Sequence, residues 1–167
     1  MVGYDYSTAG AYFITAVTAG RECLFGEIES GEMCLSSTGR IVQSCWEQIP
    51  THFPNVGVEA YVIMPNHIHG ILLIYIGHTK VGAQHAAPLQ QNDITKPNPK
   101  VEPGSLGAII RSFKSAVTRQ VRQEMSPTTI WQRNYYEHIV RNPKDYEKIT
   151  AYILDNPLNW QDDEENR

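Results

Sequence analysis

Hydrophobic residues change their spacing along the chain, and each change predicts where one secondary-structure element ends and the next begins. The segment 11–18, AYFITAVT, is rich in aromatic and β-branched residues, which predicts a strand. From Ser36 the hydrophobic positions recur at helical spacing until Pro50, which predicts a helix. The segments 58–64 and 67–76 then predict two antiparallel strands, because a Pro-Asn pair between them is typical of a tight connection.

The second half of the chain begins with a segment that has no hydrophobic period. Residues 77–104 are rich in Pro, Gln, Asn, Lys and Gly, and they predict a long flexible insertion whose ends lie close together. A helix is predicted over 105–125, because its hydrophobic residues form one stripe and its arginines lie elsewhere. A strand is predicted over 129–140, and a last helix begins after Asn142 and ends before Pro157.

The predicted order is therefore β-α-β-β-α-β with an additional C-terminal helix. This order is that of the α+β ferredoxin-like plan, in which helices pack on one face of an antiparallel four-stranded sheet. The opposite face is then free for a ligand. We expect a single domain over 1–161 and a solvated, disordered acidic tail over 162–167, DDEENR.

Composition is that of a soluble globular protein, since 41% of the residues are hydrophobic and 19% are charged. The chain has no apolar run long enough to span a membrane and no signal-peptide pattern, so we expect a cytoplasmic protein whose three cysteines are reduced. The net charge of −4 argues against nucleic-acid binding. However, region 105–148 carries eight Lys and Arg against four acidic residues, which leaves a basic region inside an acidic protein.

Two histidines stand one residue apart in the stretch 64–74, MPNHIHGILLI. Side chains at positions i and i+2 of a strand point to the same side, so His67 and His69 project together. Two neutral imidazoles in this arrangement can hold one divalent metal ion if a further ligand completes the site. They can equally be two ordinary histidines near a strand end that bond to the adjacent turn, and spacing leaves both interpretations open.

The C-terminal helix carries the residues that could complete such a site. Tyr152 and Asn156 lie four residues apart, so they are neighbours on one helix face at the edge of the apolar stripe. A tyrosine there can be an ordinary packing residue, and an asparagine before a proline can simply end the helix.

Taken together, these stretches resemble the HUH single-strand DNA endonucleases. Within that group the likeness is to the single-tyrosine transposases, in particular to the REP-associated tyrosine transposase-like branch. It rests on VIMPNHIHGILLI, on IWQRNYYEHIVRN and on YILDNP, and the combination is much more specific than the histidine pair alone. The resemblance covers nearly the whole chain apart from the insertion and the acidic tail.

The resemblance implies a site and a reaction. His67 and His69 match the metal-binding pair, which takes Mg²⁺ or Mn²⁺, Tyr152 matches the nucleophile, and Asn156 matches the amide that supplies the third ligand. Compact insertion-sequence transposases have Gln at that position, and Asn reaches one methylene less far. The implied activity is metal-dependent cleavage and rejoining of single-stranded DNA, through a 5′-phosphotyrosine intermediate, at hairpin or repeat sequences.

Cations and aromatics in the basic region could hold such a substrate, since single strands bind to cationic grooves and stack on aromatic rings. A helix with four cations is more often a solvated face, and of two adjacent strand tyrosines at least one belongs to the core. The candidate DNA-binding residues are Arg111, Lys114, Arg119, Arg122, Arg133 and Tyr135.

Other functions remain compatible with the residues. A hairpin-binding protein on the same fold that does not cleave would not need Tyr152. A hydrolase that activates water with the two histidines would leave no protein–DNA adduct. The expected partner is single-stranded or hairpin DNA, and only the protein that does not cleave could bind RNA instead. The resemblance allows either a monomer or a homodimer that exchanges the tyrosine helix.

Overall fold

The computed structural model of the protein describes residues 9–75, 104–124 and 129–166. The predicted insertion at 77–104 therefore lies, except for Gly104, outside the described residues. None of the described helices is both long enough and apolar enough to cross a membrane.

Six strands and four helices make up the described part of the chain. The strands are β1 Gly10–Val17, β2 Gly26–Glu29, β3 Glu32–Leu35, β4 Val56–Met64, β5 His67–Ile74 and β6 Tyr136–Val140. The helices are α1 Ser37–Glu47, α2 Ile49–His52, α3 Leu106–Glu124 and α4 Pro143–Asp155, with short 3₁₀ turns at Ala19–Arg21 and Trp160–Asp162.

Four of the strands form one antiparallel sheet in the order β4-β5-β1-β6. With α1 after β1 and α3 after β5, this confirms the α+β ferredoxin-like plan that the order of elements predicted. The central strand β1 pairs with both β5 and β6. Its side chains therefore meet those of two neighbouring strands on each face of the sheet.

The main core lies on one face of the sheet, beneath α1 and α3. Tyr12 and Ile14 of β1 are fully buried there, and they belong to the same cluster as the apolar stripe of α3. Trp46 of α1 meets Phe113 of α3 edge to face, with ring centroids 5.1 Å apart. Because both helices pack on this face, the opposite face has only α4 among the described helices to cover it.

The opposite face of the sheet is partly covered by α4. Ile153 of α4 is fully buried against Phe13 of β1 and Ile71 of β5. The helix begins as predicted, because the backbone N–H of Asp145 donates to the Asn142 side chain at 2.9 Å and Pro143 follows that cap. This packing carries the next turns of α4 across the face on which His67 and His69 project.

Three features differ from the predicted elements. The short helix α2 was not predicted, because Pro50 was expected to end the helical pattern and instead lies in the first turn of α2. The hairpin of β2 and β3 was not predicted, because each strand has only four residues. Two exposed glutamates in β2 and one in β3 also interrupt the hydrophobic pattern.

The last strand is shorter than predicted and begins at Tyr136. The segment before β6 pairs with the end of β1 only through an isolated bridge between Thr18 and Trp131. Lys114 Nζ of α3 also holds this segment, since it donates to the carbonyl oxygens of Gln132 at 3.1 Å and Asn134 at 2.8 Å.

Gly70 follows His69 in β5 and faces the main core on the other side of the sheet, so a substitution there tests how tightly that core is packed. Gly70→Ala is expected to lower the free energy of unfolding by about 1–3 kcal/mol, because overpacking a well-filled core costs that much. A Cβ atom at this position would lie 2.5 Å from the ring of Trp46, which is fully buried and has no room to move. Urea-induced unfolding of the purified protein measures the change.

Gly107→Ala is the matched control for this prediction. Its Cβ atom would meet nothing nearer than 3.8 Å, and alanine is the better helix former in α3. We expect this variant to be as stable as wild type or more stable. Equal unfolding midpoints for the two alanine variants would contradict the packing argument.

Candidate active site

The two histidines lie side by side on the face of the sheet that α4 crosses. In the β1–β5 pairing His69 stands opposite Thr15 and His67 opposite Val17, while Ile68 between them points into the main core. Both imidazoles are buried, and their ring centroids are 4.3 Å apart. The strand period therefore places the pair on one face, as the sequence predicted.

Asn66 fixes the proton position of His67. The Asn66 side-chain N–H donates to the carbonyl oxygens of Glu165 at 2.7 Å and of Arg21 at 3.3 Å. Its oxygen therefore faces His67, and it accepts from the Nδ1–H of that ring at 2.8 Å. The other ring nitrogen, Nε2, then carries a free lone pair, which is how metal-ligating histidines are usually held.

Thr15 and Tyr152 hold His69 from two sides. The hydroxyl of Thr15 lies 2.8 Å from Nδ1 of His69, and the hydroxyl of Tyr152 lies 3.3 Å from Nε2. If Nδ1 donates to the threonine, Nε2 is free to accept from the tyrosine or to bind a metal ion. His69 would then have the same tautomer as His67, with Nδ1 protonated and the lone pair of Nε2 available for a metal ion.

Burial keeps both imidazoles neutral. Desolvation lowers the pKa of His67 to about 3, although the Asn156 amide against the ring works in the opposite direction. Desolvation, and then the neighbouring His67, lowers the pKa of His69 to about 3 as well. Both rings are therefore in the form that binds a metal ion at neutral pH.

Asn156 ends α4 directly beside the pair. Its side chain is buried, and its N–H donates to the carboxylate of Asp163 at 2.9 Å. This bond turns the amide oxygen away from Asp163, and among the described residues that oxygen has no hydrogen-bond partner. The Nε2 atom of His67 is likewise without a partner in the described part of the chain.

Asp163 completes the cluster, and the sequence did not predict it. We expected the acidic tail to be solvated, and this was wrong for Asp163, which is only 9% exposed. The chain turns back through the 3₁₀ turn Trp160–Asp162, and an ion pair of 3.0 Å between Arg21 and Glu165 holds it there. Nothing in the sequence distinguishes Asp163 from its neighbour Asp162, so no local signal could have found it.

These donors fit a divalent metal ion. One ligand atom each from His67, His69 and Asp163 lie within 4.8 Å of one another. The buried amide oxygen of Asn156 adds a fourth donor that no described residue satisfies. Two imidazole nitrogens with a carboxylate and an amide oxygen are a ligand set that several first-row and alkaline-earth ions accept, so the arrangement does not select one metal.

Tyr152 stands at the mouth of this cluster, half-exposed on α4. Burial raises the pKa of its phenol, and the charge of Asp163 raises it further, so the hydroxyl is protonated at neutral pH. It opens into a cavity of about 510 Å³ that also contacts Phe13, Thr15 and Tyr136. The four acidic residues of segment 162–165 line the same cavity.

The structure does not bring the predicted DNA-binding residues to Tyr152. Arg111, Arg119 and Arg122 are exposed on α3, which packs on the other face of the sheet, and Arg133 is also exposed. None of them lines the cavity at Tyr152, and their role in DNA binding stays a prediction.

Lys114 and Tyr135 lie partly inside the protein. Lys114 bonds to two carbonyl oxygens and lies over the rings of Trp131 and Tyr135, and burial lowers its pKa to about 8. Tyr135 packs against the main core, whereas Tyr136 reaches the face that carries the histidines. Adjacent strand residues face opposite ways, so of the two tyrosines it is Tyr136 that faces the site.

Comparison with known proteins gives two relatives and several related structures. No protein-family model matches the chain. An uncharacterized protein of Haemophilus influenzae is 42% identical over 161 residues, which are 96% of this chain and 87% of the relative. A second Haemophilus influenzae protein, provisionally named a REP-associated tyrosine transposase, is 27% identical over 92% of this chain and 73% of its own.

One of the related structures is that of the REP-associated tyrosine transposase bound to a REP hairpin. It superposes with a TM-score of 0.60 at 20% identity, over 96% of this chain and 74% of the other. At this identity the likeness establishes the fold, and it agrees with the sheet order and helix positions described above.

Proposed function

This chain belongs to the same family as its 42%-identical Haemophilus influenzae relative and resembles REP-associated tyrosine transposases in sequence and fold, and from this premise we propose that it is a metal-dependent single-strand DNA endonuclease and strand transferase. The likeness supports a transposase-like role in general. The specific proposal is carried by one observation: the Tyr152 hydroxyl lies 3.3 Å from Nε2 of a buried, neutral His69. This distance supports the proposal, because it puts the proposed nucleophile within reach of a phosphate that the proposed metal-binding pair would hold.

Tyr152 would attack the phosphorus atom of a phosphodiester. The bond from phosphorus to the 3′ oxygen breaks, the tyrosine becomes linked to the 5′ phosphate, and the phenolic proton balances the departing oxygen as a free 3′-OH. Because the phenol is protonated at neutral pH, the reaction depends on holding it in line and on making the phosphate electrophilic. The phosphotyrosine keeps the bond energy, so a second 3′-OH can reverse the step without ATP.

His67, His69 and Asp163 would hold Mg²⁺ or Mn²⁺, with the Asn156 oxygen as the further donor. An ion bound there would polarise a phosphate oxygen and offset the charge that develops on it. Asn66 and Thr15 contact the Nδ1 atoms of the two rings, which would leave both Nε2 atoms available to bind the ion. The proposed partner is single-stranded or hairpin DNA.

A hairpin-binding protein that does not cleave is the second candidate. One observation favours it, because the cavity beside Tyr152 is lined by four acidic residues and, among the described residues, by no Lys or Arg. Such a wall opposes the approach of a phosphate. A bound divalent ion would offset part of this charge, which is why we rank cleavage first.

The wild-type protein is expected to form a covalent adduct with stem-loop DNA in Mn²⁺. With DNA labelled at its 3′ end, a band that resists denaturation should migrate more slowly than free DNA, and proteinase K should remove the shift. With DNA labelled at its 5′ end, a shorter fragment with an extendable 3′-OH should appear. Chelation by EDTA should remove both products, because the metal site is then empty.

Other outcomes would contradict the proposal in distinct ways. Metal-dependent cleavage without an adduct would mean that the histidine pair activates water. Tight binding without cleavage, for a varied set of stem-loops and both metal ions, would identify a hairpin-binding protein.

A further inference from the structure

Tyr136 is an exposed aromatic side chain that the reaction proposed above does not use. It begins β6 and stands opposite Thr15 of β1 in the sheet register, so it shares the face on which Thr15 contacts His69. Its side chain is 59% exposed. Single exposed aromatic residues are common on proteins, so exposure alone indicates no function.

What distinguishes Tyr136 is its position beside the nucleophile. The ring of Phe13 lies edge-on to Tyr136 with a centroid distance of 6.3 Å, and edge-on to Tyr152 with a distance of 6.2 Å. Phe13 is itself buried and stacks on His69 at 5.3 Å. The two tyrosines therefore flank one rigid aromatic residue, and both line the same cavity.

The cavity suits a neutral flat group better than a phosphate. Its volume of about 510 Å³ lies within the range of roughly 300–1,000 Å³ that is typical of small-molecule sites. The acidic residues of segment 162–165 also line the cavity, and they repel a phosphate that has no metal ion beside it. An aromatic wall accepts any nucleobase, because every base has a face that can stack.

We propose that Tyr136 and this cavity form a nucleobase subsite, which holds one unpaired base of a single strand next to the phosphate that faces Tyr152. The proposal rests on the proposed function, because it places the base by reference to the attacked phosphate. Tyr136 stacks on the base, and the edge-to-face contact with Phe13 holds the ring of Tyr136 in position. The subsite thereby sets which phosphate comes opposite Tyr152, so it determines the position of cleavage.

Binding measurements with abasic nucleotides test the subsite. The probe is the fluorescein-labelled stem-loop oligonucleotide that the protein binds most tightly from a randomised pool. Anisotropy is measured with Tyr152→Phe protein in Mn²⁺, so that cleavage does not interfere. Each unpaired position of the probe is replaced in turn by an abasic nucleotide, and each probe is titrated with Tyr136→Leu, with Tyr136→Phe and with a matched control, Tyr75→Leu. Tyr75 is an exposed tyrosine just beyond the far end of β5, outside the cavity.

We expect Tyr136→Leu to weaken binding of the intact probe roughly tenfold, since a stacked base contributes on that order. Tyr136→Phe keeps the ring and should bind as wild type does, and Tyr75→Leu should also leave binding unchanged. One abasic position should weaken binding to the same extent, and at that position Tyr136→Leu should cause no further loss. The two changes would then remove the same contact.

Independent effects would overturn the proposal. If the abasic nucleotide and Tyr136→Leu weaken binding independently at every unpaired position, the two fold-losses in affinity multiply. The tyrosine then stacks on no base of the probe. The adduct assay is run on the same probe, so that the two proposals can fail separately. An adduct without coupling at Tyr136 overturns the subsite alone, whereas coupling without an adduct overturns the cleavage proposal and leaves the base subsite standing. No binding to any member of the pool would overturn both.

Discussion

Tyr152→Phe is expected to abolish the protein–DNA adduct while the protein stays folded. The substitution removes the oxygen atom that would form the phosphotyrosine, so adduct formation should fall on the order of a thousandfold or more, below detection. The ring remains in place against Phe13 and His69, and only one half-exposed hydroxyl contact of 3.3 Å is lost. The gel assay in Mn²⁺ measures adduct, and circular dichroism of the same sample confirms the fold.

Tyr146→Phe is the matched control for this variant. Tyr146 lies on the same helix, and its hydroxyl donates to Glu59 of β4 at 3.3 Å. It neither lines the cavity at Tyr152 nor belongs to the cluster of potential metal ligands. This variant should form adduct at the wild-type rate. If Tyr152→Phe still forms adduct, another residue is the nucleophile; if both variants lose it equally, α4 merely has to be in place.

Asp163→Asn is expected to weaken Mn²⁺ binding by at least roughly tenfold, because groups that bind or orient around a metal ion typically contribute that much. An asparagine oxygen can still accept from the Asn156 side chain, so the substitution removes the charge and keeps the orientation of that amide. Isothermal titration with Mn²⁺ measures the change without any DNA. Adduct formation should decline in parallel.

Asp162→Asn is the matched control, because it removes the same charge from the neighbouring position. Asp162 is the preceding residue, it is exposed, and it does not belong to the cluster of potential metal ligands. It should keep the wild-type affinity for Mn²⁺. Equal losses in the two variants would show that the acidic segment attracts the ion only through its general charge, and Asp163 would then not be a ligand.

Local periodicity was enough to predict much of the site. The strand period of two places His67 and His69 on one face, and it needs no knowledge of what packs on that face. The helix spacing of four residues makes Tyr152 and Asn156 neighbours on α4, and an Asn-Pro start predicts where that helix begins. These features depend only on residues near one another in the chain, which is why the sequence suffices.

Side-chain orientation in the cluster could not be predicted in the same way. The tautomer of His67 depends on the direction of the Asn66 amide, and that direction depends on the backbone of Glu165, 99 residues further along the chain. The acidic composition of residues 162–167 also led to a wrong prediction for Asp163, because an acidic tail is usually solvated. Here contacts of Arg21 with Glu164 and Glu165 hold the tail against the site and bury Asp163.

The sequence by itself determined the order of the four sheet strands and of the helices α1, α3 and α4, the common face of the two histidines, and the spacing that makes Tyr152 and Asn156 neighbours. Each follows from a backbone period that is the same in any fold. Only the tertiary structure decided that Asp163 lies beside the two histidines and that Tyr136 rather than Tyr135 shares their face of the sheet. Those placements depend on how distant segments return to one sheet, because burial and hydrogen bonding between them arise only when the core has formed.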